Sequence, residues 1–174
     1  ILNDPIDNIF YKHDEDNLYL GYALIRGPNN TPYEYGNYLF KFMFPKDYPF
    51  SPPKVMFCTG DGITRFNPNL YRNGYVCLSI LNTWKGEQWS SCQTIQTILI
   101  TLQTILNEDP FLNEPGNHQG NPLIQVYNEV LEYKNIEITI LNYLNEEGLE
   151  NNFKQFYPNI IEHFENNKEI ILEK

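Results

Sequence analysis

Residues 37–44 read Asn37-Tyr38-Leu39-Phe40-Lys41-Phe42-Met43-Phe44. Aromatic Tyr38, Phe40, Phe42 and Phe44 alternate with Leu39, Lys41 and Met43. That period of two marks a strand with one strongly aromatic face. Upstream, residues 18–25 (LYLGYALI) form a second apolar run of strand length. The Gly27-Pro28-Asn29-Asn30 and Pro32…Gly36 stretches between them are dense in turn formers and predict an antiparallel connection. Downstream, Lys54–Phe57 supplies a third short strand. It is entered through Pro45, Pro49, Pro52 and Pro53, which exclude helix and central strand and predict a rigid extended loop.

Further along, Gly60 to Gln88 follows no period and reads as loop, with a short extended piece at Tyr75–Ile80. Long segments of this kind inside a compact domain often carry function. Ser90 then opens a predicted helix, with Gln93 completing a capping box. Ile95, Ile98, Leu99, Leu102, Ile105 and Leu106 give that helix one apolar face. Residues 107–122 read as loop. Val126, Val130, Leu131, Ile138, Leu141 and Leu144 recur at helical spacing, and Gly148 is a plausible stop. Phe153–Phe156 and Ile160–Leu172 predict two short helices separated by Pro158. Strands, then a loop-rich centre, then helices predict an α+β fold: an antiparallel meander of about four strands on a central helix, with additional C-terminal helices. No repeat or linker divides the chain, so residues 1–174 read as one domain.

The chain has 174 residues, of which 41% are hydrophobic and 15% aromatic, enough for a sizeable core without metals or disulfides. Its net charge of −10 argues against a general nucleic-acid binder and gives no support to membrane-surface binding. Its apolar runs fall far short of a bilayer span, and no secretory signal is visible. Three cysteines without a C-x-x-C pair argue against a disulfide framework or a zinc site. A reducing compartment, cytoplasm and/or nucleus, is the expectation. The sequence does not begin with Met and reads as trimmed or processed.

Cys77, in Gly74-Tyr75-Val76-Cys77-Leu78-Ser79-Ile80, is the reactive group most worth testing. A thiolate is a good nucleophile and a good leaving group, suited to acyl capture and onward transfer. Taken alone, the same cysteine is better read as a small buried hydrophobe.

The wider text reverses that reading. The run Pro45-Lys46-Asp47-Tyr48-Pro49-Phe50-Ser51-Pro52-Pro53-Lys54-Val55 resembles the ubiquitin-conjugating enzymes. So do Phe66-Asn67-Pro68-Asn69-Leu70-Tyr71 and Gly74 to Leu81, and Trp89-Ser90, the amphipathic helix and the Asn-Glu-Pro loop follow in the family's order. The likeness covers about residues 18–144. It implies the UBC-like fold, with a C-terminal helical extension over about 145–174 and an N-terminal helix largely missing, Ile1–Phe10 its remnant. It is similar in particular to the Asn-Pro-Asn subgroup that includes the catalytic domain of BRUCE (apollon), and to extended carriers charged by a non-standard activating enzyme.

The resemblance implies an ATP-dependent pathway in which Cys77 accepts ubiquitin as a thioester and passes it to a lysine or a ligase. The implied partners are ubiquitin, an activating enzyme, a ligase and protein substrates, with no cofactor and no metal. Asn69 matches the family's oxyanion-stabilising asparagine, though Asn-Pro-Asn is equally good turn chemistry. Glu114 is preferred over Asn113 as the carboxylate assisting the attacking lysine, against the alternative of a solvated loop glutamate. Asn67 stands where the family usually has His and Ser79 where many members have Asp; both are expected to support the active-site loop. Phe50, Trp89 and Ser91 match the ligase-contacting loops, and Cys92 is expected to begin the helix. Residues 82–88 form a longer connection than usual, in which Trp84 either guards the thioester or pins its own loop.

Three other classes stay open on sequence alone. They are a non-catalytic ubiquitin-binding relative, a carrier of another ubiquitin-like modifier, and a cysteine hydrolase using His118 or His163 as base.

Overall fold

In a computed structural model, residues 7–173 are described. Four strands, β1 (Ile9–His13), β2 (Leu20–Arg26), β3 (Asn37–Met43) and β4 (Lys54–Phe57), form an antiparallel meander in that order. The helices are α1 (Ile95–Ile105), α2 (Leu123–Lys134) and α3 (Tyr157–Leu172), with short 3-10 turns between them. A π-helical stretch, Asn135–Ile140, continues α2. The α+β expectation holds.

Register explains the aromatic alternation. Tyr11, Ala23, Phe40 and Phe57 lie in one cross-strand row, and Gly21, Phe42 and Val55 in the next. This face packs with Phe66, Leu70 and Val76 of the central loops and with Ile98, Leu99 and Leu102 of α1. Phe40 and Phe57 sit 5.4 Å apart, and Tyr38 meets Phe66 edge-on at 5.9 Å. Each fully buried side chain of this kind contributes roughly 1.5–3 kcal/mol.

The opposite face is covered too. Tyr22, Leu24 and Leu39 pack under Tyr143, Leu149, Phe153, Phe156 and Ile160. Arg26 donates to the Asn159 carbonyl (2.8 Å), fastening β2 to α3.

Several expectations need correction. Residues 7 and 8 form a turn and residues 9 and 10 open β1, so none of the four is part of a helix; the rest of the proposed remnant, residues 1–6, lies outside the described residues. The Pro45–Pro53 segment is not extended but folded into turns, with Tyr48 N–H bonded to the Pro45 carbonyl and Phe50 N–H to that of Asp47. Helix α1 starts at Ile95, capped by Thr94 and Thr97 in a reciprocal box, because Ser90 and Gln93 spend their groups on a preceding turn. Cys92 lies exposed in that turn and does not begin the helix. On α2 the buried residue is Leu131, while Val126 and Val130 are about half exposed, as is Leu141 beyond it. Pro158 does not separate two helices: it sits in the first turn of α3, where a missing N–H costs nothing.

Candidate active site

The loop-rich centre is held by a buried polar hub. Asn67 is fully buried. Its Nδ2 donates to Tyr33 Oη (2.9 Å) and to the Ile105 carbonyl (2.8 Å) at the end of α1. Its Oδ1 accepts from Asn69 N–H (2.9 Å) and from Asn113 Nδ2 (3.4 Å). One side chain therefore joins the 67–70 loop, α1 and the 110–115 loop. Asn113 also donates to the Ile105 carbonyl (3.0 Å), so it belongs to the scaffold, leaving Glu114 as the carboxylate at the surface.

Asn67→Ala would orphan the Asn69 N–H, at about 1–3 kcal/mol, and take from the Ile105 carbonyl one of its two side-chain donors, about 1 kcal/mol more, leaving it Asn113 Nδ2. The expected loss is therefore about 3 kcal/mol, or a melting temperature lowered by roughly 10 °C for a chain of this size. Thermal unfolding measures it; a shift below about 2 °C would mean that the hub is not holding the loops.

The loop bearing Cys77 is laced to this hub from both sides. Cys77 N–H donates to the Asn69 carbonyl (2.9 Å), and Asn69 Nδ2 donates to the Cys77 carbonyl (2.8 Å). Gly74 turns the chain at φ 83°, a left-handed conformation, and a Cβ there would stand 2.9 Å from the Phe57 carbonyl oxygen. That close approach lets Phe57 N–H bond the Gly74 carbonyl (2.8 Å) and sets Tyr75 beside Met56 of β4, with Val76 beside Leu70. On the far side Thr83 locks the turn: its hydroxyl accepts from Leu78 N–H (2.8 Å) and lies 2.9 Å from the Val76 carbonyl.

Pro68, Asn69, Tyr71, Cys77, Trp84, Asn113, Glu114 and Pro115 line a cleft of about 30 Å³. That is the room of one water, so this is a shallow groove open to a chain from outside and not a small-molecule pocket. Cys77 as a residue is 6% exposed, and its thiol donates toward the Thr83 carbonyl (3.3 Å). Burial pushes its pKa up and the Glu114 carboxylate pushes it further, while Arg65 pulls it down. Glu114 pairs with Arg65 at 3.3 Å.

The sequence-predicted residues divide. Cys77, Asn69 and Glu114 come together on one cleft, with Asn67 beneath. Ser79 opens a 3-10 turn whose carbonyl accepts from Asn82 N–H (2.8 Å), and Gly86 of the long loop packs against its Cβ. Phe50, 80% exposed, and Ser91 stand outside the cleft. Their loops are joined by Trp89, whose indole donates to the Pro49 carbonyl (2.8 Å) and packs on Tyr48. Trp84 is half exposed and forms one cleft wall. His118 bonds the Gln119 carbonyl and His163 lies on α3, its pKa lowered to about 4 by burial; neither lines the cleft. Arg65, Tyr71 and Thr83 were missed. Arg65 alone had a signal, a lone cation among turn residues; Thr83 works through backbone partners that no side-chain pattern displays.

The family model described as "Ubiquitin-conjugating enzyme" matches residues 2–140. The chain is 42% identical over 149 residues, 83% of its length, to "Ubiquitin-conjugating enzyme E2 Z" of Xenopus tropicalis, and covers 47% of that protein. It is 45% identical over 66% of its length to "Dual E2 ubiquitin-conjugating enzyme/E3 ubiquitin-protein ligase BIRC6" of Homo sapiens, of which it covers 2%. Among solved structures, a Toxoplasma gondii ubiquitin-conjugating enzyme E2 domain matches with a TM-score of 0.60 and 26% identity, over 76% of this chain and 89% of that one. The chain spans about half the length of the E2 Z proteins that it matches.

Proposed function

The chain belongs to the ubiquitin-conjugating enzyme family, and on that premise we propose that Cys77 carries ubiquitin as a thioester. The Cys77 thiolate attacks the ubiquitin carbonyl held on an activating enzyme's cysteine, and that cysteine leaves as a thiolate. A lysine amine then attacks the new thioester, gives up a proton, and expels Cys77; a ligase thiolate can replace the amine. The observation that carries this reading is the placement of Cys77 on an open groove flanked by an amide donor, Asn69, and a carboxylate, Glu114. The amide suits the tetrahedral oxyanion, and the carboxylate suits the ammonium that must lose its proton.

The raised thiol pKa fits a carrier that does not activate its own cysteine: the charging complex must supply the electrostatics. Three free cysteines suit a reducing compartment, and we place the protein in cytoplasm or nucleus on that ground. Incubation with ATP, ubiquitin or another ubiquitin-like modifier, and either the standard or the non-standard activating enzyme, read on non-reducing gels, tests the proposal. A thiol-sensitive ubiquitin adduct is expected; none with either enzyme would overturn it.

Residues 82–88 bear on which activating enzyme is used. The loop's stem is closed by Trp89 N–H donating to Asn82 Oδ1 (2.8 Å), so its ends already meet. Deleting Lys85–Gln88 should therefore leave the fold intact, shortening costing little. Trp84 on the cleft wall supports a guarding role, and the deletion is expected to change the charging rate, the choice of activating enzyme, or the discharge rate. Parental values for all three with a lowered melting temperature would reduce the loop to packing.

A further inference from the structure

Arg65 contacts three residues that line the cleft. One Nη donates to the Pro68 carbonyl, the same nitrogen stands 3.3 Å from a Glu114 carboxylate oxygen, and the guanidinium carbon lies 4.4 Å from the Tyr71 ring centroid. Pro68, Tyr71 and Glu114 all line the cleft. Its own backbone is anchored, since Tyr127 Oη donates to the Arg65 carbonyl (2.7 Å) and the Tyr127 ring packs on Phe111 of the loop before Glu114. A planar guanidinium can stack on an aromatic face and donate to two acceptors at once, which a lysine ammonium cannot reproduce.

We propose that Arg65 is a positioning residue for transfer, holding the Glu114 carboxylate at the cleft rim and yielding it to the ammonium of an incoming lysine. This rests on the reading of Glu114 given above. Both partners are partly exposed, at 33% and 48%, and an ion pair in such a setting is weak, so exchange of one cation for another meets little resistance. After the exchange Arg65 keeps its Pro68 and Tyr71 contacts, and the cleft wall stays in place while the carboxylate changes partner.

The same cation solves a second difficulty. A carboxylate beside a buried thiol disfavours the thiolate, and a fixed guanidinium offsets that effect. Arg65 thereby lets one cleft hold an acid-base group for lysine and a nucleophile for ubiquitin.

Single-turnover discharge of preloaded thioester, followed over a range of free lysine, tests the idea with Arg65→Ala, Arg65→Lys, Glu114→Gln and the Arg65→Ala/Glu114→Gln double variant. Arg65→Ala should slow discharge roughly 10- to 100-fold, mainly as a raised KM for lysine. Arg65→Lys should recover part of it, and the double variant should be no slower than Glu114→Gln. On the uncharged protein, the pH midpoint of Cys77 alkylation by iodoacetamide should move up in Arg65→Ala and down in Glu114→Gln, opposite signs that a purely structural role would not give. Parental discharge by Arg65→Ala, or a double variant that loses the product of the single effects, overturns the inference and leaves Glu114 standing. Parental discharge by Glu114→Gln sinks the carboxylate reading, and this one with it.

Discussion

Cys77→Ala is expected to give no thiol-sensitive ubiquitin adduct with any activating enzyme. The other two thiols are the controls that give this result meaning. Cys58 is largely buried and its pKa is pushed up to about 11 by that burial, so it stays a thiol. Cys92 is exposed in the turn before α1 and is the one an unspecific reaction would find first. Cys58→Ser and Cys92→Ser should both charge normally. Cys77→Ser should give either no adduct or an oxygen ester that survives reductant, since a hydroxyl is a poorer nucleophile and leaving group. A reducible adduct on Cys77→Ala would refute the assignment outright.

Asn69→Ala should hold ubiquitin once loaded but release it to lysine about 10²–10³-fold more slowly, the loss of one oxyanion donor being ~2.7–4 kcal/mol. One Nδ2 hydrogen is committed to the Cys77 carbonyl (2.8 Å), which braces the turn. An amide NH₂ carries two hydrogens, and the proposed oxyanion role would use the second. Discharge from preloaded thioester and thermal unfolding together separate the two roles. Lower thermal stability with parental discharge would leave Asn69 a loop brace only.

Period two in Tyr38–Phe44 and the 3–4 spacing of Ile95–Leu106 made the sheet and α1 legible, because each element turns one continuous apolar face to the main core and that pattern must repeat. β1 was not legible. Ile9–His13 is an edge strand whose partly exposed side chains do not alternate. The helical spacing of Val126, Val130 and Leu131 marked α2, but it does not tell which of them are covered: Leu131 is buried and the two valines are half exposed. The candidate site was legible to the extent that Asn69, Cys77 and Glu114, picked out by the family resemblance, meet on one cleft. It was unreadable where the work is done through backbone atoms, as with Thr83, or across a long sequence separation, as between Arg65 and Glu114.

The covering of the sheet by Tyr143–Ile160 gives the molecule a polarity. A second protein seeking the outer face of β2 and β3 would have to lift Phe153 and Phe156 off Tyr22 and Leu24. Taking one such ring out of its packing costs about 3–5 kcal/mol, or two to four orders of magnitude in affinity, before any new contact forms. A partner that docks without that cost must use other surfaces, such as the exposed cleft rim at Trp84 and Glu114 or the exposed Phe50.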